Sequence, residues 1–432
     1  MQLTHSERMA FEAFRGQPGY AVPTGCSAPF VTMSFHPTGK VLSCSRKPAT
    51  VIGDIRTQRL DEIWNSPIRR ELMRKLCRYD YSAQGCRVCG TYIAAGDYRT
   101  ADAVRTYDMS TVHDPDPQWP TRLEFNLANT CGLQCVMCSG EYSSAIRAVR
   151  EKLPPLPHVY DDQFFLDLRK YLAHVDCCVY LGGEPFSQQE CYRIWDMAIE
   201  DGSKALHYVN TNGMVWSPRV ERVVESLRMS IAISFDGATA ATVEAARLGA
   251  SFATMCANAR KFAPHVEKNG GELVFNFCPM RSNWQEFPDL LLLAEEHGAR
   301  GYVNTMVAPE ELSLYFLPRA ELQHVIATLA ERAEALGSRL QRTRPAMDDL
   351  LAMLRNKLQA TDREALRVAL SSTEADWRGE HQHLEDPAEA AGIARAADYA
   401  ERGRRVLATP SFIGTLAVHH ARGIYPFYSE QA

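Results

Sequence analysis

Three cysteines stand in the run Asn129-Thr-Cys131-Gly-Leu-Gln-Cys135-Val-Met-Cys138, spaced C-x3-C-x2-C. Three thiolates on one short loop can hold three irons of a cubane [4Fe–4S] cluster and leave the fourth iron open to a non-protein ligand. Zinc is the rival, but zinc sites pair two C-x2-C knuckles or add histidines at short range, and neither lies close by. A second set lies upstream: Cys26, Gly39, Cys44 and then Cys86-Arg-Val-Cys89. Four thiolates give either a fully ligated [4Fe–4S] cluster, suited to moving electrons, or a structural four-cysteine zinc site. Gly39 would turn a hairpin so that Cys26 and Cys44 meet on one side, and a helix from Leu60 to Leu76 would carry the chain across to Cys86 and Cys89. Cys77 is a spare that could replace one of the four.

These residues need a frame. From about residue 121 short apolar runs alternate with amphipathic stretches, the pattern of parallel β/α architecture. Strands are expected at Leu123–Leu127, Cys178–Leu181, Leu206–Asn210, Ser230–Phe235, Leu273–Phe277 and Gly301–Met306. Helices are expected at Ser143–Lys152, Asp162–Ala173, Gln188–Glu200, Ala241–Ala263 and Trp284–His297. In such barrels the chemistry sits at the C-terminal ends of strands, and further polar groups fall there in order. They are Gly182-Gly183-Glu184-Pro185, Thr211-Asn212-Gly213, Ser234-Phe-Asp236-Gly237, Cys278 and Asn283. Arg247 follows on the expected helix, and its planar guanidinium suits a carboxylate.

The triad at the end of a strand, followed by Gly182-Gly-Glu-Pro185 at the end of the next, resembles the radical S-adenosylmethionine (SAM) superfamily over roughly residues 121 to 308. The resemblance implies a partial (β/α)6 barrel. It also implies a cluster on Cys131, Cys135 and Cys138 whose open iron chelates SAM and splits it to a 5′-deoxyadenosyl radical. It places Gly182, Gly183, Glu184 and Pro185 at the SAM amino group, Asn212 near SAM, and Ser234 and Asp236 near the ribose or substrate. Arg247 then pairs with the SAM carboxylate, and Asn283 makes a polar contact. Met137 stands where most members carry an aromatic residue, and it can still pack on the adenine. The upstream cysteines, with Gly53-Asp-Ile-Arg and Leu60-Asp-Glu-Ile-Trp64, resemble the twitch/SPASM module that carries an auxiliary [4Fe–4S] cluster. That module usually follows the barrel; here it precedes it.

The expected organisation is thus α/β. A cysteine-rich N-terminal module (1–113) and a proline-punctuated linker, Asp114-Pro-Asp-Pro-Gln-Trp-Pro120, precede the partial barrel (121–308) and a mainly helical region (309–432). The helical region is broken near Thr409-Pro410 and ends in the aromatic Ile424-Tyr-Pro-Phe-Tyr428. Relatives with such a module modify peptides, or oxidise sugars and aminocyclitols, and draw electrons from a flavodoxin or ferredoxin; either substrate class stays open. Cys278, closing the fifth strand, could give a hydrogen atom to a substrate radical, which would suit an epimerase. A bare electron carrier or zinc scaffold would leave Gly182-Gly-Glu-Pro185 and Arg247 without a purpose.

Bulk numbers narrow the classes. Of 432 residues, 46% are hydrophobic and 23% charged, with a formal net charge of −5, which gives no support to nucleic-acid binding. The basic run Arg69-Arg-Glu-Leu-Met-Arg-Lys75 reads as a solvated helix face. No apolar run is long enough to span a bilayer and the N-terminus has no signal-peptide core, so a reducing, cytoplasmic setting is expected for the 13 cysteines. The remaining cysteines, Cys177, Cys178, Cys191 and Cys256, read as small buried hydrophobes.

Overall fold

Runs rich in β-branched and aromatic residues, such as Met229-Ser-Ile-Ala-Ile-Ser234, fold as strands of one sheet. The computed structural model describes residues 1–15, 24–45, 49–98, 101, 103, 106–107, 112, 114–304, 306 and 309–359. The strands are β1 (Thr32–Phe35), β2 (Lys40–Leu42), β3 (Val51–Asp54), β4 (Arg122–Phe125), β5 (Cys177–Tyr180), β6 (Leu206–Thr211), β7 (Met229–Ser234), β8 (Leu273–Phe277) and β9 (Arg300–Val303). Their order is β3-β2-β1-β4-β5-β6-β7-β8-β9. From β4 to β9 every pairing is parallel, the six-strand series expected of a partial (β/α)6 barrel. β1 joins β4 in parallel, Thr32 opposite Arg122 and Phe35 opposite Phe125, while β2 and β3 are antiparallel additions. One sheet therefore spans both sides of the proline-punctuated linker.

Alternation along each strand separates two faces. Leu123, Phe125, Tyr180, Val209, Ile231 and Phe275 point into the main hydrophobic core. Glu124, Tyr208, Asn210, Ser234 and Asn276 take the opposite, inner face. Covering the core side are α6 (Asp162–Leu172), α7 (Gln189–Glu200), α8 (Pro218–Ser226), α9 (Ala240–Ala246), α10 (Phe252–Lys268) and α11 (Phe287–Glu296). These follow α1 (His5–Arg15), α2 (Ala28–Val31), α3 (Leu60–Trp64), α4 (Pro67–Cys77) and α5 (Cys86–Ala94), and precede α12 (Arg319–Leu336) and α13 (Arg344–Gln359). Side chains of Asp161, Ser217, Thr239 and Ser251 accept from the N–H three residues on and so fix where α6, α8, α9 and α10 begin.

Four expected helices change form. Ser143–Lys152 is helical over 144–150 and widens into a π-helical turn at Ile146–Arg150. Ala241–Ala263 splits into α9 and α10, because Gly249 at φ +90° turns the chain between them. Leu60–Leu76 splits into α3 and α4, where Ser66 caps a new helix with Pro67 at its first position. Trp284–His297 opens with a 3-10 turn, Trp284–Glu286, before α11. The basic run on α4 is not all solvated: Arg69 is fully buried, lies 3.4 Å over the Trp64 ring and donates to Pro29 O and Trp64 O. The Thr409-Pro410 break and the aromatic tail lie outside the described residues. Among the described residues no helix is long and apolar enough to cross a membrane.

Candidate active site

The cysteine loop leaves β4 at its C-terminal end and is held from both sides. Ser143 Oγ donates to Leu133 O (2.6 Å), and Ala145 N and Ser144 Oγ donate to Cys131 O (3.2 and 3.1 Å). From the other side Gln134 N and Val136 N donate to Leu248 O and Ala246 O, each at 2.9 Å. The thiols are not bare. Asn212 Nδ2 lies 3.8 Å from Cys131 Sγ, and Arg247 Nη1 lies 3.7 Å from Cys135 Sγ. Burial pushes all three thiols up, Cys138 to about 12, so a metal must displace protons to bind and loading is coupled to proton release.

Gly182 and Gly183 both adopt positive φ, +67° and +53°. A Cβ on Gly182 would fall 1.6 Å from Asn126 Oδ1, and one on Gly183 would fall 2.7 Å from Thr130 O. Only glycine lets this turn lie against the cysteine loop. Glu184 N then donates to Thr130 O (2.7 Å). The Glu184 carboxylate is buried and accepts from Thr211 Oγ1 (2.8 Å), Asn212 N (2.7 Å) and Phe186 N (3.1 Å). Burial pushes its carboxyl up to about 7 against those hydrogen bonds. Glu184 thus organises the end of β6 from within, and Gly182 O is engaged by Gln188 Nε2 at 2.8 Å. Pro185 is buried at the start of a 3-10 turn, a structural place.

Past β7, Asp236 is 1% exposed at φ +58°. Its Oδ1 accepts from Cys278 N (2.6 Å), and its Oδ2 pairs with Arg247 Nη2 (2.6 Å). Burial alone would lower the Arg247 pKa, but the charges of Asp236 and Cys135 outweigh it and hold it raised. Arg247 therefore has a protein partner where the sequence points to a ligand carboxylate alone. Asn283 is a brace: its Nδ2 donates to Asp236 O (3.0 Å) and Cys278 O (3.1 Å), and its Oδ1 accepts from Met280 N. The polar contact with a ligand expected of it is thereby replaced by a packing role. Ser234 faces inward beside Asn276, and Met137 packs with Cys278 near Met280 and Met306.

Four buried polar atoms here have no hydrogen-bond partner among the described residues: Asn126 Oδ1, Asn276 Oδ1, Arg247 Nε and Asp236 Oδ2, the last held only by its ion pair with Arg247. Of these, Asn126 Oδ1 is a free acceptor and Arg247 Nε a free donor, the complement of an ammonium and a carboxylate, so the residues fit the amino-acid end of SAM beside an iron–sulfur cluster. Asn126 is the residue that sequence reasoning missed. Its position just before Leu127 at the end of β4, inward by alternation, was the available signal.

Of the upstream cysteines, Cys26, Cys86 and Cys89 gather at the other end of the sheet, and Cys44 lies beside Tyr107. Cys26, Cys86 and Cys89 all lie within electrostatic reach of the Tyr81 phenol, whose pKa is raised mainly by burial. Cys44 follows Ser43, whose N–H donates to Thr50 O (3.0 Å), while the Thr50 hydroxyl reaches Gln84 O (2.6 Å) and Cys86. Cys77 instead belongs to a separate apolar cluster with Phe30, Val31 and Met73. A hydrogen bond from His36 of β1's end to Glu141 ties the N-terminal hairpin to the cysteine loop.

Residues 26–90 match SPASM, an iron–sulfur cluster-binding domain, so the four upstream cysteines stand in an iron–sulfur module. Among curated proteins none matches the chain. Similar solved structures include Streptococcus suis SuiB bound to S-adenosylmethionine, at 14% identity and TM-score 0.38, covering 51% of this chain and 49% of that one. SuiB bound to its precursor peptide SuiA gives 16% identity, TM-score 0.37 and coverage of 50% and 47%. anSMEcpe with bound AdoMet gives 12%, 0.37, 51% and 62%. The matched part thus spans less than two thirds of each of these proteins.

Proposed function

We propose that this protein is a radical SAM enzyme that oxidises or crosslinks a peptide. The carrying observation is the convergence, at and past the C-terminal ends of four of the six parallel strands, of Cys131, Cys135 and Cys138 with Gly182, Gly183, Asn212, Ser234, Asp236 and, beyond the following helix, Arg247. With a [4Fe–4S] cluster and SAM in place, this site would supply a 5′-deoxyadenosyl radical able to take hydrogen from an unactivated C–H bond. The chain's own residues do the positioning. Asn126 Oδ1 and the backbone of Gly182 and Gly183 face the ammonium, Arg247 faces the carboxylate, and Glu184 holds Asn212 in place. Cys26, Cys44, Cys86 and Cys89 would hold a second, saturated cluster, whose natural task is to accept an electron. That favours net oxidation, with an outside flavodoxin or ferredoxin reducing the first site. The module that matches 26–90 accompanies both peptide modification and sugar oxidation in the family resembled, so a sugar or aminocyclitol is the second substrate class beside a peptide.

A second reading rests on Cys278, whose burial pushes the thiol up and keeps it protonated next to Asp236 and Arg247. A neutral thiol at the inner mouth suits hydrogen-atom return and thus epimerisation. The test is anaerobic reconstitution followed by iron, sulfide and 5′-deoxyadenosine assays, on the wild type and on Cys131, Cys135 and Cys138 all changed to Ala. The triple variant should keep about four irons and make no deoxyadenosine. Loss of all iron would remove the second cluster, and a wild type that never cleaves SAM would sink the whole reading.

A further inference from the structure

Against the start of the cysteine loop, at Leu127 to Thr130, lies a cavity of about 270 Å³. Leu127, Leu153, Pro155 and Pro37 give it apolar walls, and no acidic side chain lines it. Arg147 forms part of the wall and is 8% exposed. Its Nε donates to Pro154 O, and among the described residues it has no ion-pair partner. The nearby acids are engaged elsewhere: Glu151 accepts from Gly140 N (2.7 Å), and Glu141 bonds to His36. The terminal nitrogens of Arg147 have no hydrogen-bond partner among the described residues and are not sealed in the interior, so they are free to hold an anion in the cavity. Arg147 also lies in the π-helical turn Ile146–Arg150, and such wide turns are frequent at functional sites. Ser144 links cavity to loop, since it lines the one and bonds the Cys131 backbone of the other.

We infer that this cavity is a binding site for a small carboxylate carried on an apolar body, with Arg147 as its anchor. Bidentate capture of a carboxylate is what a guanidinium fork does best, and the leucine and proline walls take the remainder. The inference does not depend on the assignment of SAM to the neighbouring strand ends.

The test is calorimetric titration of the anaerobically reconstituted full chain with benzoate, its neutral isostere benzamide, and inorganic phosphate. Benzoate should bind saturably, benzamide and phosphate at least about tenfold more weakly, as a charge-assisted bond on an apolar body requires. Arg147→Met should weaken benzoate by about tenfold or more on the same ground. Ala148→Phe, at an exposed position on the cavity wall, should block entry and keeps the test open if the arginine variant does not fold. Absence of saturable benzoate binding, equal binding of benzamide, or unchanged binding in the variants that fold overturns the site. Phosphate binding as tightly as benzoate overturns the carboxylate class.

Discussion

Asp236 offers the sharpest separation of charge from backbone strain. Its carboxylate is buried, pairs with Arg247 and receives Cys278 N, and its backbone sits at φ +58°. Changing Asp236 to Asn keeps an oxygen for Cys278 N and tolerates the left-handed backbone, but turns an N–H₂ toward Arg247. The guanidinium, 13% exposed, is then left without its counter-charge. Stranding one member of a buried pair costs about 3–5 kcal/mol. Asp236→Ala should cost about 1–2 kcal/mol more, since alanine resists the left-handed region. The double variant Asp236→Asn/Arg247→Met removes both charges and should regain most of the loss. Anaerobic urea unfolding of the wild type and the variants, read as a double-mutant cycle, measures each step. If the double variant is no more stable than Asp236→Asn, the loss does not come from a stranded arginine and the reasoning fails.

Glu184 makes stability depend on pH. Its folded pKa is raised from 4.5 to about 7, so its contribution is full below 4.5 and is lost as pH climbs through 7. At about 1.36 kcal/mol per pH unit the effect is bounded at about 3 kcal/mol. The stability gap between wild type and Glu184→Gln should therefore shrink between pH 5.5 and 8.5 in urea melts, and a constant or widening gap refutes the buried-carboxyl account. For Cys278→Ala, 5′-deoxyadenosine formation should persist while deuterium from D₂O no longer appears at the substrate carbon. Continued deuterium incorporation would show that another group returns the hydrogen.

Strand positions were legible because a buried parallel sheet needs unbroken apolar runs, and Leu273–Phe277 falls where those runs predict it. Helix integrity was not, because a hydrophobic period survives a break: α9 and α10 share one apolar rhythm although Gly249 turns the chain between them. The cysteine loop was legible from its spacing, since thiol chemistry tolerates few substitutes, and the glycine pair from the resemblance it carries at the end of the next strand. Partnerships across the sequence stayed hidden. Nothing in the chain announces that Asp236 holds Arg247, that Glu184 turns inward to Asn212, or that Arg69 stacks on Trp64 rather than facing water. Each depends on which of several nearby donors reaches an acceptor first in three dimensions.

The unusual order, with the cysteine module ahead of the barrel, has a simple resolution in the sheet. An open six-strand series has two free edges, here β4 and β9, and a flanking strand can extend either one. β1 takes the β4 edge, and because the pairing is parallel the ends of the two strands are aligned. Cys26 precedes β1 and Cys44 follows β2, so both must lie where β4 begins; Cys131, Cys135 and Cys138 lie where it ends. Four residues of strand separate those ends by about 13 Å. On the first part of that span Ser45 N donates to the Tyr107 hydroxyl (2.8 Å), which donates to Glu124 (3.1 Å), itself bonded by Arg122 Nε (2.8 Å). A group lying on that inner face would have one cysteine set at each end of the sheet, whichever came first in the chain. Parallel pairing to β4, rather than order along the sequence, is what sets the separation between the two sets.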